Sequence, residues 1–197
     1  MTELRNILED PNRFACGIEL VTTRGTMDEA KAVRTRAFAK QLAEDPRVDW
    51  VSITDNAGGN PQLSPASLGK PLLYAGKEVV IHLSCKDFNR NGLESEAWHL
   101  ASEGFRNILA LSGDYPVAGY SGTAKPVFDI DSIGLLTLLR EMNEGLGVPM
   151  RGGNGTQALR QTAFYLGAVV TNFKRYENEV VPQLLKLKQK IACGARF

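Results

Sequence analysis

The segment Asn107-Ile108-Leu109-Ala110-Leu111-Ser112-Gly113-Asp114 decides the fold, because a short apolar run predicts a buried strand and a carboxylate follows where it ends. A second segment, Gly17-Ile18-Glu19-Leu20-Val21, also places a carboxylate on a short apolar strand. In a barrel of parallel strands, the carboxyl ends of the strands form the active-site face. The two acids, Glu19 and Asp114, therefore predict a site at the mouth of an α/β barrel.

Strands and helices alternate along the chain, which is typical of a parallel sheet covered by helices. The predicted strands span residues 14–21, 48–54, 78–84, 107–111 and 164–170. The predicted helices span residues 27–43, 65–74, 91–102, 131–143 and 177–192. Five glycines between the fourth helix and the fifth strand predict a long loop over residues 145–161.

The spacing of about 30 residues from strand to strand suits either a doubly wound sheet or a (βα)8 barrel. A complete barrel usually needs about 250 residues, whereas this sequence has 197. The final residues, Ala195-Arg196-Phe197, resemble the start of a sixth strand. A barrel would therefore be present here only in part, and we expect its C-terminal units to be missing.

Composition and charge exclude several classes of protein. A hydrophobic content of 43% and a charged content of 23% are ordinary for a soluble globular protein. The net charge of +1 favours neither nucleic acid nor an anionic membrane as a partner. The three cysteines, Cys16, Cys85 and Cys193, are far apart, so we expect no metal site and a reducing, cytoplasmic location. Neither a secretory signal nor a membrane-spanning segment is predicted.

Polar residues stand at the end of every predicted strand: Glu19, Thr54 with Asp55, His82 with Ser84, Asp114, and Thr171 with Asn172. A single acid after a strand is more often a helix cap or half of an ion pair. Five polar ends in succession favour a shared site.

His82 alternates with Ile81 and Leu83, so it points into the barrel if those two face the helices. A hydrogen-bonded core histidine is an equally good interpretation. We expect His99 to lie at the surface or at a boundary, and Cys85 to be a packed thiol.

Two glycine-rich segments could approach a ligand. Arg151–Thr156 lacks the lysine of a P-loop, so a plain flexible loop is favoured over phosphate binding. Ala57-Gly58-Gly59-Asn60 directly follows a strand, and its backbone N–H groups could meet a ligand, although it matches no dinucleotide fingerprint.

Taken together, residues 14–197 resemble the methylenetetrahydrofolate reductase family of flavin-dependent (βα)8 barrels. The resemblance rests on five segments: Ile18–Leu20, Val51–Thr54, His82–Cys85, Asn107–Asp114 and Leu184–Ala195. It implies an α/β fold of the (βα)8 TIM-barrel type with five to six βα units. Residues 1–197 would form a single domain, the N-terminal part of a flavin- and folate-binding barrel.

The resemblance also implies roles for individual residues. Glu19 matches a general acid that helps to open the methylene bridge of the folate, and we expect it to be partly desolvated. Asp114 matches a carboxylate near the N1–C2 carbonyl edge of the flavin, where it tunes hydride donation. The other residues that match cofactor contacts are Thr54, His82, Ser112, Gly113 and Lys190, the last near the phosphates.

This sequence departs from the family pattern in three places. Thr22-Thr23 replaces a diproline after Glu19, and Phe173 stands near another cofactor contact. On the last helix, Gln183, Lys186 and Gln189 replace polar contacts, and Lys190 alone matches clearly. The expected cofactor is FAD, with FMN as the alternative.

The implied activity is reduction of 5,10-methylenetetrahydrofolate to 5-methyltetrahydrofolate by hydride transfer from the N5 atom of reduced flavin. The implied electron donor is NAD(P)H or a partner protein, and we expect an oligomer or a subunit of a complex. One alternative is a non-catalytic truncated barrel that acts as a pterin-binding or assembly module. A third hypothesis is a barrel methyltransferase that binds a related pterin without flavin.

Overall fold

The computed structural model describes residues 3–119, 122–150, 152 and 155–197. The strands of this part are β1 (Gly17–Leu20), β2 (Trp50–Ile53), β3 (Glu78–Ser84), β4 (Asn107–Leu111), β5 (Ala118–Gly119), β6 (Gly122–Thr123), β7 (Gly147–Pro149), β8 (Thr156–Ala158) and β9 (Tyr165–Ala168). Its α-helices are α1 (Leu4–Leu8), α2 (Ala30–Glu44), α3 (Pro65–Tyr74), α4 (Arg90–Ser102), α5 (Ser132–Glu144) and α6 (Glu177–Ala192). A short 3₁₀ turn covers Ala57–Gly59.

Five of the strands form one parallel sheet in the order β1-β2-β3-β4-β9. Each strand of this sheet lies beside the preceding one, and one helix of α2–α5 connects each pair. A doubly wound sheet reverses its strand order at a switch point, whereas a barrel continues in one direction. The fold is therefore α/β, a five-stranded parallel sheet of βα units that is consistent with part of a (βα)8 barrel.

The main core lies between the sheet and helices α2–α5. The strands contribute Val51, Ile53, Ile81, Ile108 and Ala110, all of them fully buried. Helix α5 buries Leu135, Leu136, Leu139 and Met142 against them, at the spacing of one helical face. Burying a side chain of this size contributes about 2 kcal/mol. This face of the sheet is therefore closed to ligands.

The opposite, inner face of the sheet is closed at the amino ends of its strands by α1, which the sequence did not predict. Leu4 of this helix is buried with Val80 and Tyr165. The Leu4 N–H donates to Glu78 Oε2 at 3.2 Å, and Asn107 Nδ2 donates to the same oxygen at 2.9 Å. A five-residue helix is too short to show helical periodicity, so only its contacts reveal it.

The predicted loop over residues 145–161 is wrong in part, because this segment contains an antiparallel hairpin of β7 and β8. The Leu159 N–H donates to Leu146 O at 2.9 Å, which closes the base of the hairpin against the end of α5. Half of the segment Arg151–Thr156, predicted as a flexible loop, falls outside the described residues, and Thr156 begins β8. A second short hairpin, β5 and β6, was also not predicted.

Element boundaries differ by a few residues from the prediction. Strand β1 begins at Gly17 rather than residue 14, because Phe14 is 92% exposed and has no pairing partner in the described sheet. Ala195–Phe197, predicted as the start of a sixth strand, forms no strand in the described structure, but its backbone is hydrogen-bonded to β9. The Arg196 N–H donates to Leu166 O at 2.8 Å, and Phe197 O accepts the Ala168 N–H at 2.9 Å.

Within the described residues, we find no helix that combines the length and apolar character needed to cross a bilayer. His99 is exposed on α4, and Cys85 is fully buried, as predicted for both.

Asn143 joins the end of α5 to the start of β9. Its Oδ1 accepts hydrogen bonds from the Thr162 hydroxyl and the Phe164 N–H at 2.7 and 2.8 Å, and its Nδ2 donates to Phe164 O at 2.9 Å.

We predict that Asn143→Ala lowers the free energy of unfolding by about 2–3 kcal/mol, because partly buried polar groups lose their partners. Urea denaturation measures this loss. The control is Asn91→Ala, an exposed position in α4; equal losses in both variants would contradict the prediction.

Candidate functional site

A cavity of about 470 Å³ lies at the carboxyl ends of the parallel strands. Every strand of the sheet reaches its wall with a residue on or just beyond it, and one face of α6 completes the wall. The structure brings together here all seven residues named from the sequence: Glu19, Thr54, His82, Ser112, Gly113, Asp114 and Lys190. Their functional roles stay predictions.

The alternation of side chains along the strands explains this convergence. Ile53 and Ile81 are fully buried against the helices, so their neighbours Thr54 and His82 point to the inner face. Glu19 pairs in register with Ser52, which places it on that face as well. A parallel register thus delivers the polar residues of several strands to one cavity.

His82 is a buried, neutral imidazole in the cavity wall. Its Nε2 lies 2.7 Å from the Ser52 hydroxyl oxygen on the adjacent strand. Burial lowers the pKa of His82 to about 4, since the protonated ring would lose its hydration. The ring therefore offers one N–H donor and one acceptor nitrogen at neutral pH, and Ser52 engages one of them.

Asp114 is held by the loop that follows β2. Its Oδ2 accepts the Gly58 N–H at 2.8 Å. A Cβ on Gly59 would lie 2.0 Å from the Tyr115 carbonyl oxygen, so only glycine allows the two loops to approach this closely. The sequence suggested that backbone N–H groups of Ala57–Asn60 could contact a ligand. In the structure, the Gly58 N–H instead donates to Asp114.

Thr54 presents a hydroxyl with no hydrogen-bond partner among the described residues, although the side chain is only 5% exposed. A buried polar atom without a partner costs free energy. The missing hydrogen bond of such an atom is commonly supplied by a bound ligand or by water. Thr54 lines the cavity, so its hydroxyl is a candidate contact for whatever binds there.

Helix α6 lines the cavity with Gln183, Lys186 and Lys190, which share one face at spacings of three and four residues. Lys190 Nζ donates to Val169 O at 2.6 Å. Burial, with a smaller effect of Lys186, lowers the pKa of Lys190. Sequence comparison identified Lys190 alone, whereas the structure adds Lys186 as a second cation.

Asp55 is a cavity residue to which the sequence assigned no role. Its Oδ2 accepts both the backbone N–H of Ser84 at 2.9 Å and the Ser84 hydroxyl at 2.7 Å. Burial raises the pKa of Asp55, and these two hydrogen bonds partly offset the rise. The feature of the sequence that could have identified Asp55 as a cavity residue is its position directly after a buried strand.

Glu19 differs from the prediction in one respect. Its side chain is exposed, not partly desolvated, because β1 is an edge strand that pairs only with β2 in the described part of the chain. The carboxylate therefore faces the cavity without neighbours that exclude water. A ligand bound over β1 would have to exclude water from the Glu19 carboxylate.

The family model described as methylenetetrahydrofolate reductase matches residues 29–197 of this chain. The matched region contains every cavity residue named from the sequence except Glu19, which lies before its start. No curated protein matches the chain in the comparison made.

The pKa of His82 generates a prediction about pH. Folding favours the neutral ring, so its contribution to stability is complete above the unfolded pKa of 6.5 and is lost as the pH falls from 6.5 towards 4. The shift corresponds to roughly 3 kcal/mol. We predict that the His82→Gln variant loses less stability than the native chain between pH 7 and pH 4.5.

Two measurements check this. Urea denaturation at several pH values compares the two proteins. His99→Gln leaves His82 as the sole imidazole of the chain, so its NMR signal can be followed directly. Titration of that signal with a midpoint at pH 6 or above would contradict the prediction.

Proposed function

Because the chain belongs to the methylenetetrahydrofolate reductase family, we propose that it binds a flavin and reduces 5,10-methylenetetrahydrofolate to 5-methyltetrahydrofolate. The observation that carries the proposal is the single cavity in which Glu19, Asp114, Thr54, His82 and Lys190 converge. When bound, the flavin supplies the hydride from its N5 atom. The residues of this chain bind and orient the flavin and the folate, and they supply the proton to the folate.

The residues present fit a flavin in several respects. The cavity volume of about 470 Å³ lies within the usual range for a ligand site. The buried Thr54 hydroxyl lacks a partner among the described residues, and a polar ring edge would satisfy it. Gly113 carries no side chain, so a planar ring can approach its backbone closely.

Asp114 is suited to tuning the cofactor. Its carboxylate is fixed through one oxygen by the Gly58 N–H, and the residue lines the cavity. Placed beside the pyrimidine edge of the ring, the negative charge of the carboxylate disfavours the anionic reduced form. The neutral His82 adds a hydrogen-bonding group without adding charge.

Glu19 is the proposed general acid. It delivers a proton to the folate nitrogen released when the methylene bridge opens, which makes the carbon a hydride acceptor. The side chain is exposed in the structure, so a folate lying over β1 must exclude water from it. Substrate binding and proton transfer are therefore coupled at this strand.

We propose FAD as the cofactor, with FMN as the alternative. Lys186 and Lys190 stand one helical turn apart on the cavity face of α6 and could neutralise a diphosphate. The electron donor is then NAD(P)H or a partner protein in the cytoplasm. Mass spectrometry of the cofactor released from purified protein distinguishes FAD from FMN.

A second candidate is a pterin-binding or assembly module without catalysis. Two observations favour it: Glu19 is exposed, and it lies before the region matched by the family model. Such a module would bind a folate but would not reduce it, with or without flavin.

Glu19→Gln tests the acid. We predict that folate reduction falls at least about 100-fold, because the amide cannot donate the proton. Flavin content and oxidation of reduced flavin by an artificial acceptor should stay unchanged. Stopped-flow absorbance at about 450 nm, the oxidised flavin band, measures the oxidation of reduced flavin by the folate and by the artificial acceptor.

Glu44→Gln is the matched control, since Glu44 is exposed on α2 away from the cavity. Undiminished folate reduction in the Glu19 variant would exclude the acid role. If the native protein binds folate but reduces none of it with reduced flavin present, the non-catalytic module is the better description.

Thr54→Val tests the cofactor contact. Without ligand, we predict unfolding free energy that is unchanged or higher by about 1 kcal/mol, because an unpartnered buried hydroxyl is removed. With flavin, affinity should fall about tenfold, because a hydrogen bond is lost. Fluorescence titration and urea denaturation measure the two effects. Thr35→Val is the control, its hydroxyl being bound to Lys31 O on α2, and equal affinity in all three proteins would contradict the contact.

A further inference from the structure

A buried lysine lies directly behind the cavity and has no place in the proposed chemistry. Lys86 follows β3, and its side chain is only 2% exposed. An ammonium group at such a position is costly unless it is paired. Lys86 Nζ lies 2.5 Å from Asp87 Oδ2, which provides that pairing.

The ion pair holds the loop that follows β2. Asp87 Oδ2 also accepts Asn56 Nδ2 at 2.8 Å, and Asn56 Oδ1 accepts the Gln62 N–H at 2.7 Å. Asn56 has a φ of 45°, a left-handed conformation that asparagine adopts more readily than most residues, and its two side-chain hydrogen bonds hold it there. The charge on Lys86 therefore anchors, through Asp87, the turn that leads to Gly58.

The aliphatic part of the same lysine supports the loop that follows β4. A Cβ added to Gly113 would lie 3.0 Å from both Cγ and Cδ of Lys86, so the Gly113 backbone rests on this stem. The Lys86 carbonyl oxygen also accepts the Val127 N–H at 2.8 Å, which ties down the far end of that loop.

These are the two loops that determine the position of Asp114. One carries Asp114, directly after Gly113, and the other donates the Gly58 N–H to its carboxylate. We propose that Lys86 is a positioning residue that fixes the Asp114 carboxylate against the cavity. The flavin-related part of this inference rests on the proposed function, whereas the geometric part does not.

Direct action of the Lys86 ammonium on the flavin is the competing explanation. The two explanations predict opposite changes in the midpoint potential of the flavin when the charge is removed. A nearby positive charge stabilises reduced anionic flavin, so its removal would lower the midpoint potential. If Lys86 instead holds Asp114 in place, its removal loosens a negative charge and raises the potential.

The first experiment needs no flavin. Lys86→Met keeps most of the stem and removes the charge. Hydrogen exchange followed by NMR measures protection of the Gly58 amide, which Asp114 accepts in the native protein. We expect exchange of this amide to accelerate about tenfold, while amides within β3 and β4 stay protected.

A charge-neutral variant addresses the same point if Lys86→Met does not fold. Asn56→Gly removes the side chain that joins Asp87 to the loop after β2, changes no charge and tolerates the φ of 45°, so it should also accelerate exchange at Gly58. Lys70→Met is the control, because Lys70 pairs with Glu103 on the outer helices, away from the cavity. Unchanged Gly58 protection in Lys86→Met or, should that variant not fold, in Asn56→Gly would overturn the proposal.

The second experiment is a double-mutant cycle on the midpoint potential of the flavin-loaded protein, with Lys86→Met and Asp114→Asn. We expect Lys86→Met to raise the potential when Asp114 is present and to have no effect when it is Asn. A fall in potential of equal size in both backgrounds would show direct action and overturn the proposal. If the native protein binds no flavin, the proposed function fails, and Gly58 exchange alone decides the role of Lys86.

Discussion

The parallel register of β1, β2, β3, β4 and β9 is the constraint on which the rest of the structure depends. Because neighbouring strands run in the same direction, all their carboxyl ends meet at one edge of the sheet. The helices bury most of the outer face, and α1 closes the inner face at the opposite edge. The polar side chains that follow the strands therefore gather in the cavity at the carboxyl ends.

The loops beyond that edge form a second layer of organisation. They are held less by apolar burial than by a small set of polar contacts around Asn56, Asp87 and Lys86. The loop after β2 packs against the backbone of the loop after β4 at Gly59, and Gly113 of the latter loop packs on the side-chain stem of Lys86. The strands thus determine which residues reach the cavity, and the loop contacts determine how the Asp114 carboxylate is oriented within it.

Much of the fold could be predicted from the sequence, since apolar runs such as Glu78–Ser84 and helical stripes such as that of α5 leave a clear local pattern. Three kinds of feature could not. The helix α1 is too short for periodicity, and the hairpin of β7 and β8 lies in a glycine-rich segment. The burial of Lys86 depends on residues distant in sequence, such as Gly113 and Val127, which reach it only once the chain has folded.

The sequence by itself determined the α/β class and the residues that follow each strand, because the periods of strands and helices show in local patterns of side chains. The order of the strands in the sheet was decided by the tertiary structure. Only the tertiary structure decided the environments of these residues. Glu19 is exposed because β1 lies at the sheet edge, His82 is neutral because it is buried, and Asp114 is anchored by an N–H from a loop 56 residues away. Solvation and hydrogen bonding depend on neighbours that are distant in sequence, and these exist only once the chain has folded.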